Sequence, residues 1–198
     1  MPTLYSIKPA FQNLLHPVAA KLVSLGVTAN KVTIGACLLS IATGIVIAAF
    51  YSTPAIFWLL PLALFVRMAL NAIDGMMARE FGQASRLGMY LNELTDVIAD
   101  AALILPFALI PVFPAWGVVL FALIAVFTEY AGVLGGTRRY DGPFGKSDRA
   151  LALGIIAALL ASGVTFVSWG AWLFPALALL SIITVINRVR AGLKETVK

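Results

Sequence analysis

The chain has 198 residues, 61% of them hydrophobic and 12% charged, with a mean hydropathy of +0.97 and a net charge of +5. Soluble domains carry roughly a quarter charged residues and about half apolar ones, so this balance excludes a soluble domain and points to an integral membrane protein. A spanning helix needs roughly 20 apolar residues for a ~30 Å hydrocarbon core, which fits one domain of about six spans.

The first 31 residues are mixed in character and lack a short apolar run followed by a small-residue cleavage site, so they do not read as a signal peptide. From Tyr5 to Leu25, the positions Leu4, Phe11, Leu14, Leu15, Val18 and Leu22 recur at near-helical spacing between polar ones. This is the pattern of an interfacial helix, with Pro9 and Pro17 expected to interrupt it. His16 reads as a solvated or interfacial histidine.

Apolar runs follow at about 32–51, 55–78, 88–112, 115–134, 149–168 and 171–190, separated by turn signals such as Ser52-Thr53-Pro54, Pro111 to Pro114 and Ser168-Trp169-Gly170. Cys37, the single cysteine, lies in the first run and reads as packing. Lipid offers no backbone hydrogen-bond partners, and the runs are too long for barrel strands. The expected fold is an all-α membrane protein: a six-transmembrane helical bundle over 32–198, preceded by a cytoplasmic interfacial helix in 1–31.

Basic residues gather before the first run, around 80–87, around 135–148 and at the tail, while the other three connections carry none. The positive-inside rule then puts both termini and the loops near 80–87 and 135–148 in the cytoplasm. The positive charge is a rim beside anionic headgroups and does not mark a nucleic-acid partner.

The second run ends in Asn71-Ala-Ile-Asp74-Gly75-Met-Met-Ala78-Arg79. Asn71, Asp74, Gly75 and Ala78 fall at i, i+3, i+4 and i+7, which stacks them on one helix face. The third run begins with Gly88 and continues through Asn92, Asp96 and Asp100 at intervals of four. Two polar stripes joined by a short loop are expected to face each other. Ionisable residues inside spans cost about 2.5–3.5 kcal/mol each on insertion scales and normally line a wet cavity or pair with one another. Carboxylate and amide oxygens suit Mg²⁺ or Mn²⁺, whereas zinc would want a Cys/His set that is missing here. The small residues Gly75, Ala78 and Gly88 would let a phosphate approach the helix backbones.

The stretch Asn71 to Asp96 resembles the signature of the CDP-alcohol phosphatidyltransferases, D-x2-D-G-x2-A-R-x8-G-x3-D-x3-D. Here it reads N-x2-D-G-x2-A-R-x8-G-x3-N-x3-D, with Asp74, Gly75, Ala78, Arg79, Gly88 and Asp96 matched in type and every spacing kept. Upstream, Thr28-Ala29-Asn30 with Thr33 is similar to a T-P-N-x2-T element found in many members. The resemblance implies a six-helix inner-membrane enzyme with both termini and the active site cytoplasmic. It also implies a homodimer that transfers a phosphatidyl group from CDP-diacylglycerol to an alcohol, releasing CMP, in phospholipid biosynthesis. One or two Mg²⁺ or Mn²⁺ ions would be held by Asn71, Asp74, Asn92 and Asp96, with Asp96 also accepting the proton of the attacking hydroxyl. Asn30, Gly75, Ala78, Arg79 and Gly88 would bind the CDP-lipid.

Two of the four signature aspartates are asparagines here, Asn71 and Asn92. Either one metal is held, or other acids help: Glu93, Asp96 and Asp100 lie at i, i+3 and i+7, and Asp100 is the expected helper. The alternative is a catalytically impaired protein that only binds the CDP-lipid. A transporter fits less well, because no internal repeat or broken helix pair is seen.

The connection Thr137 to Arg149 is glycine-rich and basic. Its cations Arg138, Arg139, Lys146 and Arg149 are candidates for binding a phosphorylated acceptor. Arg67 and Glu129 are candidates for internal pairing around the polar cavity, and Asn187, Arg188 and Arg190 for the acceptor or for headgroup anchoring.

Overall fold

The computed structural model describes residues 4–134, 137–167 and 169–194, with side chains from Phe11 onward. These residues form seven α-helices and no strand: α1 Leu4–Ser24, α2 Ala29–Ala49, α3 Leu59–Glu80, α4 Arg86–Ile104, α5 Ala115–Val133, α6 Lys146–Ala161 and α7 Gly170–Leu193. Short 3₁₀ turns at Pro54–Trp58 and Leu105–Leu109 precede α3 and follow α4.

Four segments are long and apolar enough to cross a membrane: Ala29–Ala49, Pro54–Glu80, Ala115–Val133 and Gly170–Leu193. The expected third and fifth runs are broken up differently. α4 carries Arg86, Glu93, Asp96 and Asp100 and yields to a 3₁₀ turn at Pro106, and α6 has only 16 residues. The outer surface is apolar, with Leu38, Ile45, Leu62, Phe65, Leu123 and Trp172 all exposed. Such a surface suits lipid rather than water.

The expected interruptions at Pro9 and Pro17 do not occur, because α1 runs unbroken through both. Proline's fixed φ is itself helical, and its cost is one lost backbone bond. Around Pro17 that cost falls on an exposed stretch, where Asn13, whose carbonyl loses its partner, meets solvent. α1 packs on α3, and Ala19 joins Ala29, Val32, Ile73, Met76 and Met77 in a small apolar cluster.

α2 packs along both α3 and α4, and these two signature helices touch each other only sparsely. Arg67 of α3 nevertheless reaches Asp96 and Asp100 of α4 directly. The α2–α4 approach is close: a Cβ on Gly44 would run into the Ala102 carbonyl, the kind of backbone contact that small residues allow between membrane helices. α5 packs along α7, where Gly117 leaves room for the Pro175 ring, 2.9 Å from where a Cβ would stand.

The main core lies at the far end of α4 from the signature. Phe107, Phe113, Phe121 and Phe174 are buried there with ring centroids 5.1–6.2 Å apart. This aromatic plug, worth about 0.5–1.5 kcal/mol per pair beyond area burial, fixes α5 and α7 against the end of α4. The polar end of the bundle is left for chemistry.

Candidate active site

α2 starts at a Thr28 cap whose side-chain oxygen accepts from the Lys31 N–H. The Ala29 N–H donates to Gln83 Oε1 at 2.7 Å, stitching this start to the α3–α4 connection. α4 starts at Ser85, which accepts from the Gly88 N–H at 2.9 Å. These caps satisfy donors that a helix start leaves orphaned. A Cβ on Gly88 would meet Asn30 Oδ1 at 3.0 Å, and one on Gly75 would meet the Arg79 guanidinium at 3.1 Å. Asn30 thus stands beside Gly88, and the exposed Arg79 folds back over Gly75, one turn before it. Ala78 is half-buried on the same helix end.

Asp74 and Asp96 are both buried. The Thr33 hydroxyl of α2 donates to Asp74 Oδ2 at 2.7 Å. Asp96 Oδ1 faces two cations, Lys146 Nζ at 2.5 Å and Arg67 Nη2 at 3.2 Å. Asn71 and Asn92 are half-buried, and the Asn92 amide donates to Glu93 Oε1 at 3.2 Å.

Asp100 is placed otherwise than its expected role as a metal ligand requires. Its Oδ1 takes Arg67 Nη1 at 2.6 Å and its Oδ2 takes Arg149 Nη2 at 2.9 Å, so both oxygens are occupied by guanidiniums. Arg149, expected to face an acceptor, is only 1% exposed and also reaches Glu129 Oε1 at 2.8 Å and Thr128 Oγ1 at 2.7 Å. Glu129 further engages Arg138 at 3.6 Å and Arg188 at 3.8 Å. Arg138 also pairs with Glu93. Arg67 and Glu129 therefore do not pair with each other; both enter one buried network through Asp100 and Arg149. Mutual pairing and hydrogen bonding make such burial tolerable in a low-dielectric interior.

Arg188 is buried, donating to the Thr128 and Asp141 carbonyls, so it does not anchor in headgroups. Its burial was readable as a stripe, since Ser181, Thr184 and Arg188 fall at i, i+3 and i+7 and all three are buried. Thr184 accepts from the Phe144 N–H at 3.0 Å and holds the basic connection to α7. Gly142 lies there with φ +120 and its α-carbon pressed on Thr184, where a Cβ would come within 2.6 Å. Asp148 accepts from the Gly145 N–H at 2.9 Å and closes the start of α6. Arg139 is buried beside Gly192, while Asn187 and Arg190 line an open cavity of about 400 Å³ with Asp141 and Lys194. His16 lies 3.3 Å from Glu80 in a half-exposed pair, and Cys37 is buried.

Among the described residues no three His, Cys, Asp or Glu side chains converge on a metal position. The donor chemistry nevertheless fits a hard divalent cation if the amide oxygens of Asn71 and Asn92 join the carboxylates of Asp74 and Asp96.

The described residues form an all-helical membrane protein with buried carboxylates and cations gathered at one end of its bundle. Residues 26–186 match the family model of the CDP-alcohol phosphatidyltransferases, and the chain belongs to that family. It is 46% identical to the Escherichia coli (strain K12) inner membrane protein YnbA over 96% of each chain. It is 30% identical to the Pyrococcus horikoshii archaetidylinositol phosphate synthase over 97% of each. Its fold is that of the Mycobacterium tuberculosis phosphatidylinositol phosphate synthase. With CDP-DAG bound, that enzyme matches at TM-score 0.73 and 22% identity over 92% of this chain and 94% of that one. In complex with manganese and citrate it matches at TM-score 0.73 and 21% identity over 91% and 89%. The chain is thus a CDP-alcohol phosphatidyltransferase, an enzyme of phosphatidyl transfer in phospholipid synthesis.

Proposed function

We propose that the acceptor is a phosphorylated polyol of the inositol phosphate kind, and that Asp96 takes the proton from its attacking hydroxyl. The observation that carries this reading is the meeting of the signature and the basic connection at one carboxylate: Lys146, which opens α6, lies 2.5 Å from Asp96 on α4. An acceptor bound by the cations of 137–149 would present its hydroxyl beside Asp96, within the reach that proton transfer needs. Arg138 and Lys146 are the partly exposed cations there, with 32% and 29% of their side chains accessible. Arg139 is buried beside Gly192, and Arg149 holds the frame. The inositol phosphate products named for relatives of this family agree with a phosphorylated acceptor.

Asn71, Asp74, Asn92 and Asp96 would hold Mg²⁺ or Mn²⁺, which when bound neutralises charge on the donor pyrophosphate. Manganese in the structural neighbour supports a divalent ion of this type. Asn30, Gly75, Ala78, Arg79 and Gly88 would take the CDP end of the lipid: the glycines let it approach the helix backbones, and Arg79 supplies positive charge.

The same reading sets the enzyme in the inner membrane as a homodimer with a six-span unit from 32 to 198, α4 and α6 supplying the two crossings interrupted by charge or shortness. α1 lies in the cytoplasmic interface, with both termini and the active site on that side. The placement of the basic residues supports this orientation.

The test is CMP release from CDP-diacylglycerol by the purified protein in detergent, with Mg²⁺ or Mn²⁺, across phosphorylated and unphosphorylated alcohols. Release that needs metal, Asp96 and a phosphorylated polyol is the expected result. Equal release with free glycerol or serine would overturn the acceptor assignment, and CDP-lipid binding without release would mean a binding protein.

A further inference from the structure

We infer that this active site takes a single divalent cation, the place of a second at Asp96 being held by the chain's own Lys146 ammonium, beside the Arg67 guanidinium that Asp96 shares with Asp100. The inference rests on the metal reading above and deepens it. Four aspartates would bring four negative charges, enough to balance two divalent ions, but Asn71 and Asn92 leave only Asp74 and Asp96.

Neighbouring acids do not make up the deficit. Both oxygens of Asp100 are taken by Arg67 and Arg149, and Glu93 is paired with Arg138. Glu129 is engaged by Arg149 at 2.8 Å, with Arg138 and Arg188 close by. Each of these three carboxylates is already engaged by at least one guanidinium.

The surviving acids are not equivalent. Asp74 accepts from a neutral hydroxyl, that of Thr33. Asp96 Oδ1 meets the Lys146 ammonium at 2.5 Å and the Arg67 guanidinium at 3.2 Å. A second divalent ion on that oxygen would stand against the Lys146 ammonium and a guanidinium already shared with Asp100, at a buried carboxylate where repulsion is weakly screened. Asparagine at two signature positions and an ammonium on Asp96 act in the same direction. The single ion belongs on the Asp74 side, with the protein's own cations on the Asp96 side.

The count is testable without turnover. The full-length protein in detergent is titrated with Mn²⁺, and free Mn²⁺ is followed by electron paramagnetic resonance. One Mn²⁺ per chain is expected, and two per chain at saturation overturns the inference while leaving the metal reading intact. No binding at all overturns the metal reading itself. The triple variant Asn71→Asp, Asn92→Asp, Lys146→Met is expected to bind two, and a count that stays at one means these residues do not set it. Lys146→Met alone, which requires no new buried acid, is expected to bind its single Mn²⁺ about tenfold tighter because a nearby like charge is gone. Unchanged affinity in that variant also counts against the inference.

Discussion

Arg149 Nη2 lies 2.9 Å from Asp100 Oδ2, joining the first turn of α6 to the middle of α4 across the polar end of the bundle. The same guanidinium reaches Glu129 on α5, and Asp100 in turn holds Arg67 on α3. Four helices are thereby tied through buried charges in addition to the apolar core they share.

Such a tie is strongly destabilising to break from one side only, because the remaining partner is left buried and uncompensated, at about 3–5 kcal/mol. Arg149→Leu is therefore expected to lower resistance to thermal or denaturant unfolding by about that amount. Adding Asp100→Asn to it should recover part of the loss. Unfolding curves of the two variants in one detergent check the order.

Thr33 of α2 donates a hydrogen bond across to Asp74 of α3, at 2.7 Å. A hydrogen bond to a charged group contributes about 1.5–3 kcal/mol, and here it orients the carboxylate proposed to hold metal and donor. Thr33→Val is expected to raise KM for CDP-diacylglycerol about tenfold while leaving the acceptor KM near its original value. Steady-state kinetics with each substrate varied in turn separates the two.

Gly142 combines a left-handed φ of +120 with a close approach to Thr184. An alanine there meets backbone strain of about 1–3 kcal/mol as well as a side chain in its path. Gly142→Ala should displace the basic connection and loosen its bond from the Phe144 N–H to Thr184. The expected readout is faster proteolysis within 137–145 and a raised acceptor KM.

Much of this site was legible in the sequence because the signature spacing places its residues on two helix faces, and charge placement located the basic connection beside them. The network behind the site was less legible. Asp100 follows the same four-residue stripe as Asn92 and Asp96, so spacing alone makes it look like a ligand; only the folded chain brings Arg67 and Arg149 onto its two oxygens. Arg149 reads as a loop cation because it closes a basic stretch, yet the turn capped by Asp148 swings it inward to be buried. At α1 the prolines misled for a different reason: a helix survives a missing bond when the freed carbonyl can meet solvent. α2 between α3 and α4 was invisible to periodicity, which reports faces and not neighbours.

Arg138 and Arg149 make opposite predictions although both are arginines of the same connection. Arg138 is partly exposed, pairing with the half-buried Glu93 and reaching the buried Glu129 only at 3.6 Å, so its charge remains available to an incoming anion. A guanidinium to phosphate pairing is charge-assisted and often bidentate, and its loss costs roughly 1.5–3 kcal/mol. Arg138→Ala is therefore expected to raise KM for a phosphorylated acceptor about tenfold or more, with little change in unfolding and none in KM for CDP-diacylglycerol. Arg138→Lys should restore part of it, since the charge returns without the planar fork. If Arg138→Ala instead lowers unfolding resistance as Arg149→Leu does while leaving the acceptor KM alone, Arg138 belongs to the buried frame and the acceptor's phosphate must be held elsewhere.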